Sequence, residues 1–371
     1  MKTVCPINAC NACGACSEIC PKKCIRLTQD YFVSNAYIDI SKCISCKKCE
    51  SVCPKLSIKD FSSPVEWLQG WADEPIRRKS ASGGIASAIM YSFIRNGGYV
   101  AACRFLNGNF TFELSNNAES IRYFSGSKYV KSNAQNVYEV VKKTLKNAPV
   151  LFIGLPCQVA AVKNYCSNHE NLYTVDLICH GTPSHKLLEK YLREQHYDLY
   201  SISDIIFRSK GLDDCKYKKI AKSVDEYMLA FLYGASYTDN CYNCSFANLS
   251  RISDVTLGDS WGSNYTEEIK HGISLILIQN PKGKKLISDT GIDYKLVDST
   301  VAIEHNQQLN HPVLKTKEHE RFVNAIEGNK SFSAATFKSI SKAVIIQKIK
   351  TIKNTVLCRK DSNHFGIRIL P

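Results

Sequence analysis

The sequence predicts a small, cysteine-rich α+β module followed by an α/β domain with a mainly parallel sheet. Three observations carry that expectation. Ten of the 18 cysteines fall between residues 5 and 53. Inside that stretch one cysteine pattern occurs twice, 33 residues apart. Beyond residue 98, apolar runs of strand length alternate with amphipathic runs of helical length, as in right-handed strand–helix–strand units. The 371 residues, 44% hydrophobic and 22% charged, exceed one small domain and exclude global disorder. No apolar run approaches the roughly 18 residues that span a bilayer. The start, Met1–Pro6, lacks the apolar stretch of a secretory signal. A soluble, cytoplasmic chain is expected, and there dense cysteine means metal or redox chemistry rather than disulfides.

The repeat reads Cys10-x-x-Cys13-x-x-Cys16-x-x-x-Cys20-Pro21 and again Cys43-x-x-Cys46-x-x-Cys49-x-x-x-Cys53-Pro54. Three thiolates spaced three apart can wrap one loop around three corners of an iron–sulfur cube. In two-cluster ferredoxins the fourth reaches across to the other cube. The spacing therefore predicts a ferredoxin-like 2x(4Fe–4S) module over residues 1–60. Cys10, Cys13, Cys16 and Cys53 would hold one cluster, and Cys43, Cys46, Cys49 and Cys20 the other. Structural zinc is the competing reading, but it needs only paired knuckles, not three even steps and a Cys-Pro given twice. Ile25–Leu27 and Tyr37–Ile40 read as short strands. Cys24 reads as a buried spectator and Cys5 as structural.

Residues 61–76 lose the cysteines and carry turn residues, which predicts a linker. The α/β domain is then expected over 77–320 and a basic helical tail over 321–371. Ser82-Gly83-Gly84 opens a helix near Ile85–Arg95, with three cations just upstream. A glycine-rich helix start is an anion site, although a capped helix explains the same residues. Tyr99–Phe105 and Phe110–Leu114 flank the hairpin turn Asn107-Gly108-Asn109. Strands follow at Val150–Leu155, Leu172–Ile178 and Ile202–Phe207, with helices between them. Cys157 and Cys179 sit just past two strand ends, the edge where open α/β sheets place ligands. With the Cys241-x-x-Cys244 knuckle they would make a four-thiolate site, for a third 4Fe–4S cluster or for zinc. Two buried cysteines and a turn would explain them equally. Cys103, Cys166, Cys215 and Cys358 read as isolated thiols, and Trp261 as core.

Several motifs occur in order: Ser82-Gly83-Gly84, Ser127-Lys128-Tyr129, Gly154-Leu155-Pro156-Cys157-Gln158, Cys179-His180-Gly181-Thr182-Pro183-Ser184, Phe207-Arg208-Ser209-Lys210 and Cys241-x-x-Cys244-Ser245-Phe246. Over roughly residues 77–285 the chain resembles the coenzyme F420 hydrogenase/dehydrogenase beta-subunit family, here behind a two-cluster module. The resemblance implies FAD, a cluster in the α/β body, and electron exchange with a reducible organic substrate. It implies Ser82, Gly83, Gly84, Lys128, Tyr129 and Ser132 as the flavin site, with Pro156 and Gln158 beside it. Lys128 and His180 become the catalytic candidates. No Rossmann fingerprint supports the flavin independently. The substrate would be a deazaflavin or another reducible metabolite, and some relatives resemble proteins of surface-polysaccharide synthesis.

The net charge of +14 suits an anionic partner, but clusters and a dinucleotide would offset part of it from inside. No basic stripe interleaved with aromatics is present, so nucleic acid is not expected. The function expected is an iron–sulfur flavoprotein oxidoreductase working with a redox partner protein, a ferredoxin or a hydrogenase or dehydrogenase subunit. The rival is an electron-transfer adaptor with no substrate of its own. In the tail, Ile345, Ile349, Ile352 and Val356 share a helical face among lysines. Such a helix packs on the body or lies on anionic lipid, giving peripheral membrane contact.

Overall fold

The computed structural model describes residues 2–57, 60–210, 218–219, 224–356 and 363–370. In the module, β1 (Lys2–Thr3), β2 (Ile25–Gln29) and β3 (Ser34–Ile38) form an antiparallel sheet of order β1-β3-β2. The two cysteine loops repeat in backbone as well as in sequence. Ala12 and Ser45 take φ of 54° and 55°, and Gly14 and Lys47 take 83° and 58°. These left-handed residues turn each loop back on its first cysteine. The Ala12 amide then donates to Cys10 Sγ at 3.3 Å, and the Ser45 amide to Cys43 Sγ at 3.4 Å.

The body contains β4 (Glu66–Trp71), β5 (Tyr99–Leu106), β6 (Asn109–Ser115), β7 (Val150–Ile153), β8 (Leu172–Leu177), β9 (Asp204–Lys210), β10 (Lys218–Lys219), β11 (Val255–Asp259), β12 (Ser274–Ile278), β13 (Asp293–Leu296) and β14 (Asn363–Leu370). Eight of them make one sheet, β13-β4-β12-β11-β8-β7-β5-β6. The central β11, β8, β7 and β5 run parallel. The flanking β12, β4, β13 and β6 pair antiparallel. The sheet is therefore mixed, parallel only at its centre. Strands β7 and β12 are buried along their whole length, as their continuous apolar runs require. The β5–β6 hairpin turns at Asn107 (φ 47°) and Gly108 (φ 76°), the positive pair a type I′ turn needs.

Three expectations are corrected here. Residues 61–76 are not a linker, because they contain β4, which joins β12 to β13 inside the large sheet. Its interior residues concealed it. Gln69 is buried, with Ser260 Oγ donating to its side-chain Oε1 at 3.0 Å, and at Gly70 a side chain would meet the Asp293 carbonyl. The strand expected at 202–207 runs from Asp204 and belongs to a separate sheet, β10-β14-β9. The tail is not wholly helical, since its last described residues are β14, paired with β9 and β10. The helices Lys317–Glu327 and Phe332–Val356 precede it.

Module and body share one apolar core, in which Ala15, Ile25 and Val52 pack with Tyr138, Val141 and Val159. Polar contacts fix the seam. The Glu18 carboxylate accepts the amides of Asn136 and Glu139, both at 2.7 Å, and so caps the helix Tyr138–Thr144. The Tyr138 hydroxyl donates to the Cys13 carbonyl at 2.8 Å. Among the described residues no helix is long and apolar enough to cross a membrane.

Candidate metal centres

Each cysteine loop ends in a short helix, Ala15–Ile19 or Lys48–Ser51, that carries its chain back toward the other loop. Two cavities result. Cys10, Cys13, Cys16 and Cys53 line the first, and Cys20, Cys43, Cys46 and Cys49 the second. Each cavity thus draws three cysteines from one repeat and its fourth from the other, the exchange that the spacing predicts.

The two differ in exposure. All four thiols of the first are buried, whereas in the second Cys43 and Cys49 are half-buried and Cys46 is exposed. Burial and repulsion from Cys10, Cys53 and Cys49 raise the Cys16 thiol far above its ordinary range. Thiols so crowded ionise together only where a cation compensates them.

Two cysteines outside the repeat also line these cavities. The buried Cys5 thiol donates to Cys10 and Cys53, which lowers Cys53 to about 7 and raises Cys5 itself. Cys24 lines the second cavity, its Sγ 3.4 Å from that of Cys20. Spacing could not reveal them, since neither falls on the threefold step. Their position in the walls is a product of β2 and of the N-terminal segment folding over the loops.

A third cavity, about 590 Å³ with its mouth included, opens at the carboxyl edge of the parallel strands. Cys157 enters from the start of the helix Pro156–Tyr165, Cys179 from beyond β8, and Cys241 and Cys244 from around the short helix Asp239–Tyr242. Burial and then Cys244 push Cys157 up to about 12, and burial with Cys241, Cys157 and Cys244 raises Cys179. The four thiols therefore face one another across one space. A zinc ion would draw four sulfurs to about 2.3 Å from one point. Among the described residues no three histidine, cysteine or carboxylate side chains converge on a single ion position.

Arg251 supports this cavity from behind. Fully buried, it pairs with Asp176 of β8 at 3.1 Å and donates to the carbonyls of Phe246 and Leu177 at 3.0 and 3.1 Å. It thereby ties the segment after Cys244 to the strand that carries Cys179. Asn11 lines both the first and the third cavity, so the two share a wall residue. Asn240 donates to Asn11 Oδ1 at 3.1 Å and accepts from the buried Lys131 ammonium at 3.0 Å. Lys131 acts electrostatically on both Cys10 and Cys157.

The residues expected around a flavin lie along the same sheet edge. Ser82, Gly83 and Gly84 sit beside the end of β4, where Gly83 is packed so closely on Gly70 and Ser274 that no side chain would fit. The helix they open meets the next segment through Ser87 and Ser125, 2.9 Å apart. Gln158 donates to Ser132 Oγ at 2.9 Å, and Pro156 begins the same helix beside the third cavity. Tyr129 packs on Phe231 with ring centres 4.6 Å apart. Lys128 is placed differently from expectation. Its ammonium donates to the carbonyls of Tyr123, Phe124 and Ser125 at 3.2, 2.7 and 2.9 Å, so all three N–H groups close a short helix. It is a positioning residue. His180 is exposed at the mouth of the third cavity. Trp261, expected in the core, is 42% exposed with the Arg208 guanidinium 5.7 Å from its ring. Cys166 is buried and Cys103 half-buried, while Cys215 and Cys358 lie outside the described residues, as do Arg359 and Lys360.

Comparison with known proteins adds the following. Residues 148–298 match the family model for the C terminus of the coenzyme F420 hydrogenase/dehydrogenase beta subunit. Residues 9–56 match that of the 4Fe-4S dicluster domain. Thirteen chains of solved structures match. One, from the F420-reducing NiFe hydrogenase complex of Methanosarcina barkeri solved as a xenon derivative, is 19% identical, with a TM-score of 0.47 over 74% of this chain and 98% of that one. No curated protein matches.

Proposed function

We propose that this chain, which joins a 4Fe-4S dicluster domain to a C-terminal segment of the coenzyme F420 hydrogenase/dehydrogenase beta-subunit family, is an oxidoreductase that moves electrons between a redox partner protein and an organic substrate. One observation carries it: three thiol-lined cavities follow one another, the first and second linked by exchanged cysteines and the first and third sharing Asn11 in their walls.

In this reading Cys10, Cys13, Cys16 and Cys53 hold one 4Fe–4S cluster, Cys20, Cys43, Cys46 and Cys49 a second, and Cys157, Cys179, Cys241 and Cys244 a third. The clusters supply one-electron steps, and FAD at the sheet edge would supply exchange between single electrons and a hydride. The chain's own residues do the rest. The Gly84 backbone and the Ser132 hydroxyl would face the flavin, Ser82 and Gln158 hold them in place by donating to the Ile273 carbonyl and to Ser132 Oγ, and Lys128 and Tyr129 hold the intervening segment in shape. Lys131 offsets the negative charge of the first and third centres. His180, beside Cys179, exchanges a proton between solvent and substrate at its imidazole. The substrate class is a deazaflavin or another hydride-accepting metabolite.

Anaerobic purification with counting of iron, sulfide and flavin tests this. About twelve irons per chain, four for each of three cubes, and one FAD are expected. Cys157→Ser lowers the iron to about eight. A colourless protein holding zinc and no flavin overturns the reading. The adaptor reading, with no substrate of its own, is favoured by Lys128, whose donors are already committed to carbonyls. It predicts the same iron without FAD.

A further inference from the structure

The second cysteine cavity reaches the protein surface through a particular mixture of side chains. Ile44 and the nearby Ile40 are 56% and 66% exposed, a degree that costs solvation and earns nothing within the chain. Lys22, Lys47 and Lys48 line the same cavity and are exposed. Lys42 is paired with Asp39 at 3.4 Å, and Glu50 is the other carboxylate on this loop. Among the described residues Lys22, Lys47 and Lys48 have no ion-pair partner. An apolar centre with a cationic rim is the pattern of a protein-docking patch. Here it surrounds Cys46, the exposed thiol among the eight of the two repeats. The first cavity is closed off by contrast, with its four repeat thiols buried.

We propose that this face is where a small acidic electron-carrier protein docks, its carboxylates on Lys22, Lys47 and Lys48 and its apolar contact on Ile40 and Ile44. The proposal rests on the dicluster module and adds the partner's chemistry and its point of entry. In each encounter one electron leaves the reduced carrier and enters the cluster held by Cys20, Cys43, Cys46 and Cys49. The carrier is oxidised and the cluster reduced, and no bond is made or broken. Opposite charges on the two faces raise the encounter rate, and salt screens them within a length of about 10 Å at 0.1 M.

Stopped-flow bleaching of the reconstituted full chain by a prereduced acidic plant-type ferredoxin tests the assignment, with methyl viologen radical as a small donor that needs no docking. For the native chain the bimolecular rate constant with ferredoxin falls steeply as salt rises. In Lys22→Glu/Lys48→Glu it falls at least about tenfold at low ionic strength and loses most of its salt dependence, while bleaching by the viologen is unchanged. Lys22→Gln/Lys48→Gln gives an intermediate rate, and serves if the charge-reversed chain binds less iron. Reversal at Lys295 and Lys330, on other elements, leaves the rate as it was. A native rate indifferent to salt, or equal effects at the distant lysines, overturns the proposal. Eight or more irons with no ferredoxin reaction sinks the docking face and spares the iron–sulfur reading, whereas a chain without iron sinks that reading itself.

Discussion

Lys131 is a buried cation whose ammonium has a neutral amide, Asn240, for its partner. Such a charge is costly unless anions lie near, and Cys10 and Cys157, on both of which it acts, would supply them as the thiolates of bound clusters. On the proposed reading, Lys131→Met makes the clusters of the first and third cavities harder to reduce, with the second unchanged, as potentiometric EPR would read. Lys131→Arg retains most of the native potentials. Equal shifts in all three clusters would mean general damage instead. Arg251 gives a second prediction. Arg251→Met leaves Asp176 buried without its cation and costs about 3–5 kcal/mol in chemical denaturation. At this scale the grouping of the repeat cysteines around two cavities was legible because cysteines three apart on one loop must face a common point. Cys5 and Cys24 were not, for their approach to the cavities depends on strands that return from elsewhere. The commitment of Lys128 to three carbonyls was equally hidden, since it depends on where a four-residue helix stops.

Among the elements, the helix Tyr138–Thr144 has no cap of its own and borrows Glu18 from the module. Glu18→Ala removes both acceptors and lowers stability by about 1 kcal/mol, measurable as a lower thermal midpoint. A titratable contact holds the helix Lys317–Glu327. His319 is buried, with Nδ1 2.8 Å from the Ala235 carbonyl oxygen and 2.7 Å from the Tyr242 hydroxyl, and burial lowers its pKa. Because the folded chain resists that proton, the unfolded chain binds it first as pH drops below about 6.5. Stability is thus present above that value and is lost as the pH falls below it. The thermal midpoint falls over this window, and His319→Gln shows a smaller fall. Continuous apolar strands such as β7 and the Asn-Gly hairpin were readable because their signal is local. Strand β4 was masked by Gln69 and Gly70, and β9 and β14 owe their pairing to segments more than 150 residues apart.

For the whole molecule, the shared core matters most. Strand β4 stands inside the large sheet, and Ala15, Ile25 and Val52 of the module sit in the same core as Tyr138 and Val159. Module and body are expected to unfold together, so calorimetry of the iron-loaded chain gives one transition and not two. A separate early transition that removes the visible colour would show the module to be independent. The alternation of strand-length and helix-length runs was sufficient to anticipate the parallel centre of the sheet. Its antiparallel flanks were not anticipated, because direction depends on which neighbour a strand finds.

The unequal covering of the two cysteine rings has a consequence for handling in air. Molecular oxygen meets Cys46 at the surface but finds Cys10, Cys13, Cys16 and Cys53 under protein. Oxidative loss should therefore proceed from the outside inward, leaving briefly a chain whose innermost ring is intact and whose doorway has rusted shut.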